Sequence, residues 1–120
     1  MNVRTLLCAA AALSAAAASA DPAEVLEAKA SRAAGGWTVS VTLRHADTGW
    51  EDYADGWRVL APDGAVLGTR VLHHPHVAEQ PFTRSLSGVT IPMGLDTVLI
   101  ESRTSVTGWG GDRLLLSLPR

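Results

Sequence analysis

Over short stretches of this chain, apolar residues return at every second position, with glycine- or proline-bearing breaks between the stretches. Trp37, Val39, Val41 and Leu43 alternate with Thr38, Ser40, Thr42 and Arg44. This is the pattern of a strand with one buried face and one wetted face. Trp57, Val59 and Ala61 alternate with Arg58 and Leu60, and Asp63-Gly64 follows. That dipeptide favours a tight hairpin because both turn positions tolerate positive φ. Val66 to Leu72 is then the returning strand. Phe82 to Ile91 predicts one strand, or two short pieces broken near Gly88. Thr97 to Ser105 sets Val98 and Ile100 against Glu101 and Arg103, and Arg113 to Leu118 places Leu114, Leu116 and Leu118 on one face.

The segment ahead of Trp37 supports two readings. Asp21-Pro22-Ala23-Glu24 has the form of a helix start, with an N-cap, proline at the first helical position and a carboxylate after it. Alanine-rich sequence follows, and Gly35-Gly36 serves as a stop. Against the helix, Ala28 and Ala30 alternate with Glu27, Lys29 and Ser31. A strand over Val25 to Arg32, turning at Gly35-Gly36 into Trp37, gives the more compact solution and covers a sheet edge.

Seven short strands with turn signals every ten residues or so predict an all-β domain. The expected architecture is an antiparallel seven-stranded β-sandwich of the immunoglobulin or fibronectin type III kind. In an up-and-down series, every second connection lies at the same end. The first, third and fifth connections carry only Gly35-Gly36, Asp63-Gly64 and Pro92-Met93-Gly94. The second, fourth and sixth carry all four histidines and three of the four tryptophans in or beside them. The topology therefore predicts one chemically rich tip and one bland pole.

Composition changes this picture in two ways. Residues 1–20 read as a signal peptide: Arg4, then an apolar, alanine-rich run, then Ala18-Ser19-Ala20 with the small-x-small pattern of a cleavage site. Cleavage after Ala20 would leave a single domain over 21–120, located in the periplasm or secreted. The run is too short for a membrane-spanning helix, so no membrane insertion is expected after cleavage. Leu7 precedes Cys8 where a lipid-attachment motif wants a small residue. Removal of the leader would also remove Cys8, the sole cysteine, and with it any disulfide. Nine basic and twelve acidic residues would remain, a net charge of −3. The cations are scattered, which argues against nucleic acid as a partner.

The tip holds the candidate chemistry. His74 and His76 flank Pro75, which biases His74 toward extended backbone, and residues two apart on extended chain share a side. Imidazole is a ligand for copper and zinc. His45, His74, His76 and Glu79 are thus a candidate metal set with Cu or Zn as the cofactor. The structural alternative is that these histidines hydrogen-bond to loop backbone and pack on aromatic rings. Asp47, Glu51, Asp52 and Asp55 form an acidic group whose spacing does not match a calcium-binding helix–loop–helix, and Asp47 reads as the cap of a turn before Gly49. Trp50, Tyr53, Asp55, His73 and Trp109 are candidate ligand-binding residues, since aromatic clusters stack on sugars and hold cations. Trp37 and Trp57 read as core. Arg84, Ser85 and Ser87 read as solvent-facing strand positions. No nucleophile elbow, phosphate loop or dinucleotide fingerprint occurs, so a non-enzymatic role is expected, with a histidine-dependent hydrolase as the enzymatic alternative.

Three long stretches carry a resemblance. His45-Ala46-Asp47-Thr48-Gly49-Trp50, then Tyr53-Ala54-Asp55 with Trp57, then His74-Pro75-His76 with Glu79-Gln80-Pro81-Phe82-Thr83-Arg84-Ser85-Leu86 are similar to a group of small exported bacterial proteins of unassigned function. Gly108-Trp109-Gly110-Gly111 resembles the tail of the same pattern. The resemblance implies export and a single small domain, and carries no activity. The expected function is ligand or protein-partner binding at the tip, the partner being an envelope protein or small molecule. A purely structural envelope domain is the alternative.

Overall fold

The computed structural model describes residues 21–119. The expected signal peptide, with Cys8 and Ala18-Ser19-Ala20, lies outside the described residues. Those residues form seven strands: β1 (Glu24–Ala33), β2 (Gly36–Arg44), β3 (Ala54–Leu60), β4 (Val66–Val71), β5 (Phe82–Val89), β6 (Thr97–Thr104) and β7 (Gly108–Ser117). No helix among the described residues is long and apolar enough to cross a membrane. All strand pairs are antiparallel. One sheet has the order β1-β2-β5 and the other β4-β3-β6-β7.

The alternation along each strand is what builds the core. Trp37, Val39, Val41 and Leu43 of β2 join Trp57 and Val59 of β3 and Val98 and Ile100 of β6 in one buried cluster. Each such side chain contributes about 1.5–3 kcal/mol on leaving water. The intervening polar residues pair across the outer face of the smaller sheet: Ser40 Oγ lies 2.6 Å from Ser85 Oγ, and Thr42 Oγ1 lies 2.7 Å from Thr83 Oγ1.

Residues 24–33 are strand, so the helical alternative does not form. Ala28 pairs with Val41 and Ala30 with Val39. An isolated helix of this length is marginal in water, whereas pairing with β2 supplies a ladder and a covered face. β1 is also fastened to the second sheet. The Val25 N–H donates to Asp112 Oδ2 at 2.8 Å, and Ser102 Oγ donates to the Ala23 carbonyl at 2.5 Å.

Two connections differ from expectation. β3 starts at Ala54, three residues before Trp57, and β7 starts at Gly108. Trp109, Gly110, Gly111 and Asp112 are therefore strand residues, and the sixth connection is only a turn over residues 105–107. Arg103 pairs with Trp109 and Thr104 with Gly108, and an irregularity in the ladder beyond Arg103 absorbs the surplus residues. Glycine-rich sequence reads as loop because glycine weakens a strand. Here pairing with β6 overrides that preference.

Candidate functional site

The second and fourth connections, residues 45–53 and 72–81, meet at one end of the sandwich, as alternating strand direction requires. What joins them is the carboxylate of Asp47, whose side chain is fully buried. Asp47 Oδ1 accepts from His45 Nδ1–H at 2.7 Å and from the Ala54 N–H at 3.0 Å. Asp47 Oδ2 accepts from the His76 N–H at 2.8 Å. One anion thus satisfies donors in both long loops and at the start of β3. Hydrogen bonds to an ionised acceptor are the stronger kind, and leaving such donors unpaired in the interior is costly.

Gln80 supplies a second tie. Its Oε1 accepts from the His45 N–H at 3.0 Å, and its Nε2 donates to the His76 carbonyl at 3.0 Å. The turn over residues 105–107 is tied in by Tyr53, whose carbonyl accepts from the Ser105 N–H at 2.9 Å. All three tip connections are therefore linked through the first.

The histidines divide by environment. His45 is buried, with Nδ1 on Asp47 and Nε2 3.6 Å from Asp52 Oδ1. His76 is buried and stacks on Phe82 with ring centroids 4.0 Å apart and planes 11° from parallel. Arg84 Nη2 lies 3.0 Å from His76 Nε2. A guanidinium can only donate, so Nε2 carries the lone pair and the ring is the neutral Nδ1–H tautomer. Burial, then the Arg84 charge and then His74 lower the His76 pKa below its ordinary value of 6.5. His74 is exposed, its ring centroid 4.7 Å from that of His76, and its Nδ1–H donates to the Pro75 carbonyl at 3.0 Å. His73 is exposed.

The proposed metal set is brought to one pole without converging. Glu79 Oε1 is 4.0 Å from His76 Nε2 and 3.1 Å from Arg84 Nη2. The nearest cation to that imidazole is thus a guanidinium already in place. Among the described residues, no group of three or more His, Cys, Asp or Glu side chains comes together in a metal-holding arrangement.

The aromatic residues also separate. Trp57 is core, as expected. Trp50 is 67% exposed and meets Tyr53 edge-on, with centroids 5.6 Å apart. It sits on a small hairpin closed by a Gly49–Asp52 bridge, in which the Asp52 N–H donates to the Gly49 carbonyl at 3.3 Å. Trp109 lies instead on the outer face of the four-stranded sheet, its ring covering the Arg58 guanidinium at 4.2 Å and that of Arg103 at 5.6 Å. Asp55 is held by Arg103, with Nε 3.1 Å from Oδ1.

Three residues matter here more than the sequence reading assigned. Asp47 joins two loops rather than capping one turn. Gln80 had no assigned role. Arg84 is half-buried and turned toward His76, not toward solvent like its neighbour Ser85. The available signal for Arg84 was the strand alternation itself. Phe82 and Leu86 are inward residues of β5, and Arg84 stands between them at the same parity.

No family-level sequence profile matches the chain, and no solved structure matches it. Over 87 residues, 71% of the chain, it is 39% identical to a Halomicrobium mukohataei protein named "Putative lipoprotein". The matched stretch covers 42% of that protein, so the chain spans less than half of its relative's length.

Proposed function

We propose that this chain is an exported, non-enzymatic interaction module of the cell envelope, with immunoglobulin or fibronectin III-like architecture, that presents Trp50 and Tyr53 to a protein partner. The lipoprotein name of its relative favours an envelope location. The strand orders β1-β2-β5 and β4-β3-β6-β7 favour that sandwich class. Cleavage after Ala20 and release into the periplasm or medium belong to the same proposal.

The observation that carries the reading is the buried Asp47 carboxylate with donors from both long loops. It supports a bracing role for His45 and the His76 backbone, which is what a rigid presenting tip requires. A large aromatic held exposed on a fixed hairpin is the kind of anchor that dominates protein interfaces. Copper or zinc on His45, His74, His76 and Glu79 is disfavoured, because Arg84 occupies the His76 Nε2 lone pair.

Two measurements test this. The first is thermal unfolding of untagged protein with chelator, and with micromolar copper or zinc. The midpoint should not depend on metal, and His74→Ala with His76→Ala should lower it in all three conditions. A metal-dependent rise that needs His76 would overturn the bracing role. The second is photo-crosslinking from position 50 in the native envelope. It should give a discrete protein adduct, whereas position 93, 88% exposed at the opposite pole, should give none. Absence of an adduct from position 50 would overturn the interaction role.

A further inference from the structure

The side of the sandwich where β4 and β5 are neighbouring edges carries a charge that the fold leaves unbalanced. β4 is the last strand of one sheet and β5 the last of the other. They run in opposite directions, because β4 leads into the tip and β5 leaves it. Residues directly opposite on paired strands share a face. Gly68 is opposite Val59 and Arg70 is opposite Trp57, and both partners are fully buried, so Gly68 and Arg70 are inward positions. On β5 the inward positions are Phe82, Arg84 and Leu86.

The two inward faces meet at Gly68. A Cβ added there would stand 3.0 Å from Leu86 Cδ2. Two residues nearer the tip on each strand, Arg70 comes level with Arg84. One step further are Leu72 and Phe82, both in the core. An apolar seam between the sheets is thus interrupted by two arginines at one level.

Their partners differ. Arg84 has Glu79 at 3.1 Å and His76 Nε2 at 3.0 Å. Arg44, Arg58, Arg103 and Arg113 likewise each have a carboxylate within 3.1 Å, and the Arg32 guanidinium lies over the Trp37 ring at 5.3 Å. Arg70 has no ion pair among the described residues. Its Nε is shielded from solvent and bonds to no acceptor, as is His76 Nδ1. Two guanidinium groups against one carboxylate leave the seam one positive charge in excess, with more N–H donors than acceptors. A shielded donor without an acceptor is costly, and native structures keep few of them outside functional sites. Arg70 is only partly covered and the Arg84 side chain is 30% exposed, so a ligand can reach both from the edge side.

We propose that Arg70 and Arg84 form an anion site at this seam, which takes an oxyanion group, carboxylate or phosphate, from outside the chain. The planar guanidinium fork bonds such groups through two parallel N–H donors. Arg70 supplies the uncompensated charge and most of the affinity. Arg84 is the second donor and is shared with Glu79, whose carboxylate competes with the ligand for it.

NMR of the arginine Nε–H signals of the purified protein tests the site, with sodium phosphate or sodium succinate exchanged for sodium chloride at matched ionic strength. The Arg70 signal should shift saturably at millimolar anion. A response to phosphate alone assigns a phosphorylated ligand, and a response to succinate alone assigns a carboxylate. Arg70→Met should weaken binding by at least about tenfold. In chloride, its thermal midpoint should be no lower than that of the wild type, because methionine keeps the apolar stem and discards an unpaired, half-covered charge. Glu79→Gln should tighten binding by releasing Arg84. No saturable shift with either anion, or equal binding by Arg70→Met, would overturn the proposal. A lower midpoint for Arg70→Met in chloride would also overturn it, since the chain itself would then satisfy Arg70.

Discussion

The backbone N–H of His76 donates to Asp47 Oδ2 at 2.8 Å, across 29 residues of chain. This contact closes the tip, because Asp47 belongs to the β2–β3 connection and His76 to the β4–β5 connection. Asp47→Ala would remove the acceptor for three buried donors at once. The expected cost is about 3 kcal/mol or more, read as a lower urea midpoint with little change in slope. Asp47→Asn keeps the shape but loses the charge, so it should fall between wild type and alanine. A loss below about 0.5 kcal/mol for the alanine variant would refute the bracing role.

Much of the fold was legible because its information is local. The alternation over Trp37–Arg44 and the Asp63-Gly64 turn each specify a strand or hairpin within a few residues. The tip was legible one step further, since strand direction alone sends residues 45–53 and 72–81 to the same end. The purpose of the residues there was not. Asp47 resembles any turn-capping aspartate until its partner 29 residues away is known. The Trp109 segment failed for the opposite reason: its three neighbouring glycines, Gly108, Gly110 and Gly111, predict irregular chain, and only the pairing of Arg103 with Trp109 makes it strand.

His76 gives the tip a pH dependence of defined sign. Its folded-state pKa lies below the ordinary 6.5 because of burial, Arg84 and His74. Between the folded and unfolded values the unfolded chain binds a proton that the folded chain does not, so stability rises with pH across that window. The contribution of His76 is complete above pH 6.5. It declines as pH falls below that value and levels off beneath the folded-state pKa. NMR titration should show the His76 imidazole protonating at a lower pH than a free histidine. Arg84→Gln should move that titration upward by removing the second of the causes. A His76 midpoint above 6.5 would contradict the environment described.

Glu101 is a carboxylate fully covered on the solvent side of a sheet, with Arg58 and Arg113 each bonding one oxygen at 2.7 and 2.9 Å. Glu101→Gln preserves volume but leaves two guanidinium groups facing each other without the anion between them. The expected loss is about 2–4 kcal/mol, since removing one member of a buried charged cluster strands its partners. Trp109 should report the change, because its ring lies 4.2 Å from the Arg58 guanidinium. Its fluorescence should shift in the folded variant before any unfolding. An unchanged spectrum together with unchanged stability would mean that this cluster does not order the face.

Two glycines separate backbone strain from steric exclusion. Gly64, in the β3–β4 turn, has φ +95°, and an added Cβ would meet nothing within 4 Å. Gly36, where β2 begins, has φ +127°, and an added Cβ would stand 2.9 Å from the Val89 carbonyl oxygen and 3.2 Å from the Gly88 carbonyl carbon. Both contacts are backbone of the neighbouring strand β5, so they cannot yield by a rotamer change. Gly64→Ala should cost only the positive-φ penalty, on the order of 1 kcal/mol. Gly36→Ala should cost more by at least about 1 kcal/mol, because β2 and β5 must separate at their paired ends. Thermal unfolding of the two variants side by side measures the difference, and equal losses would mean that β5 does not approach Gly36 this closely.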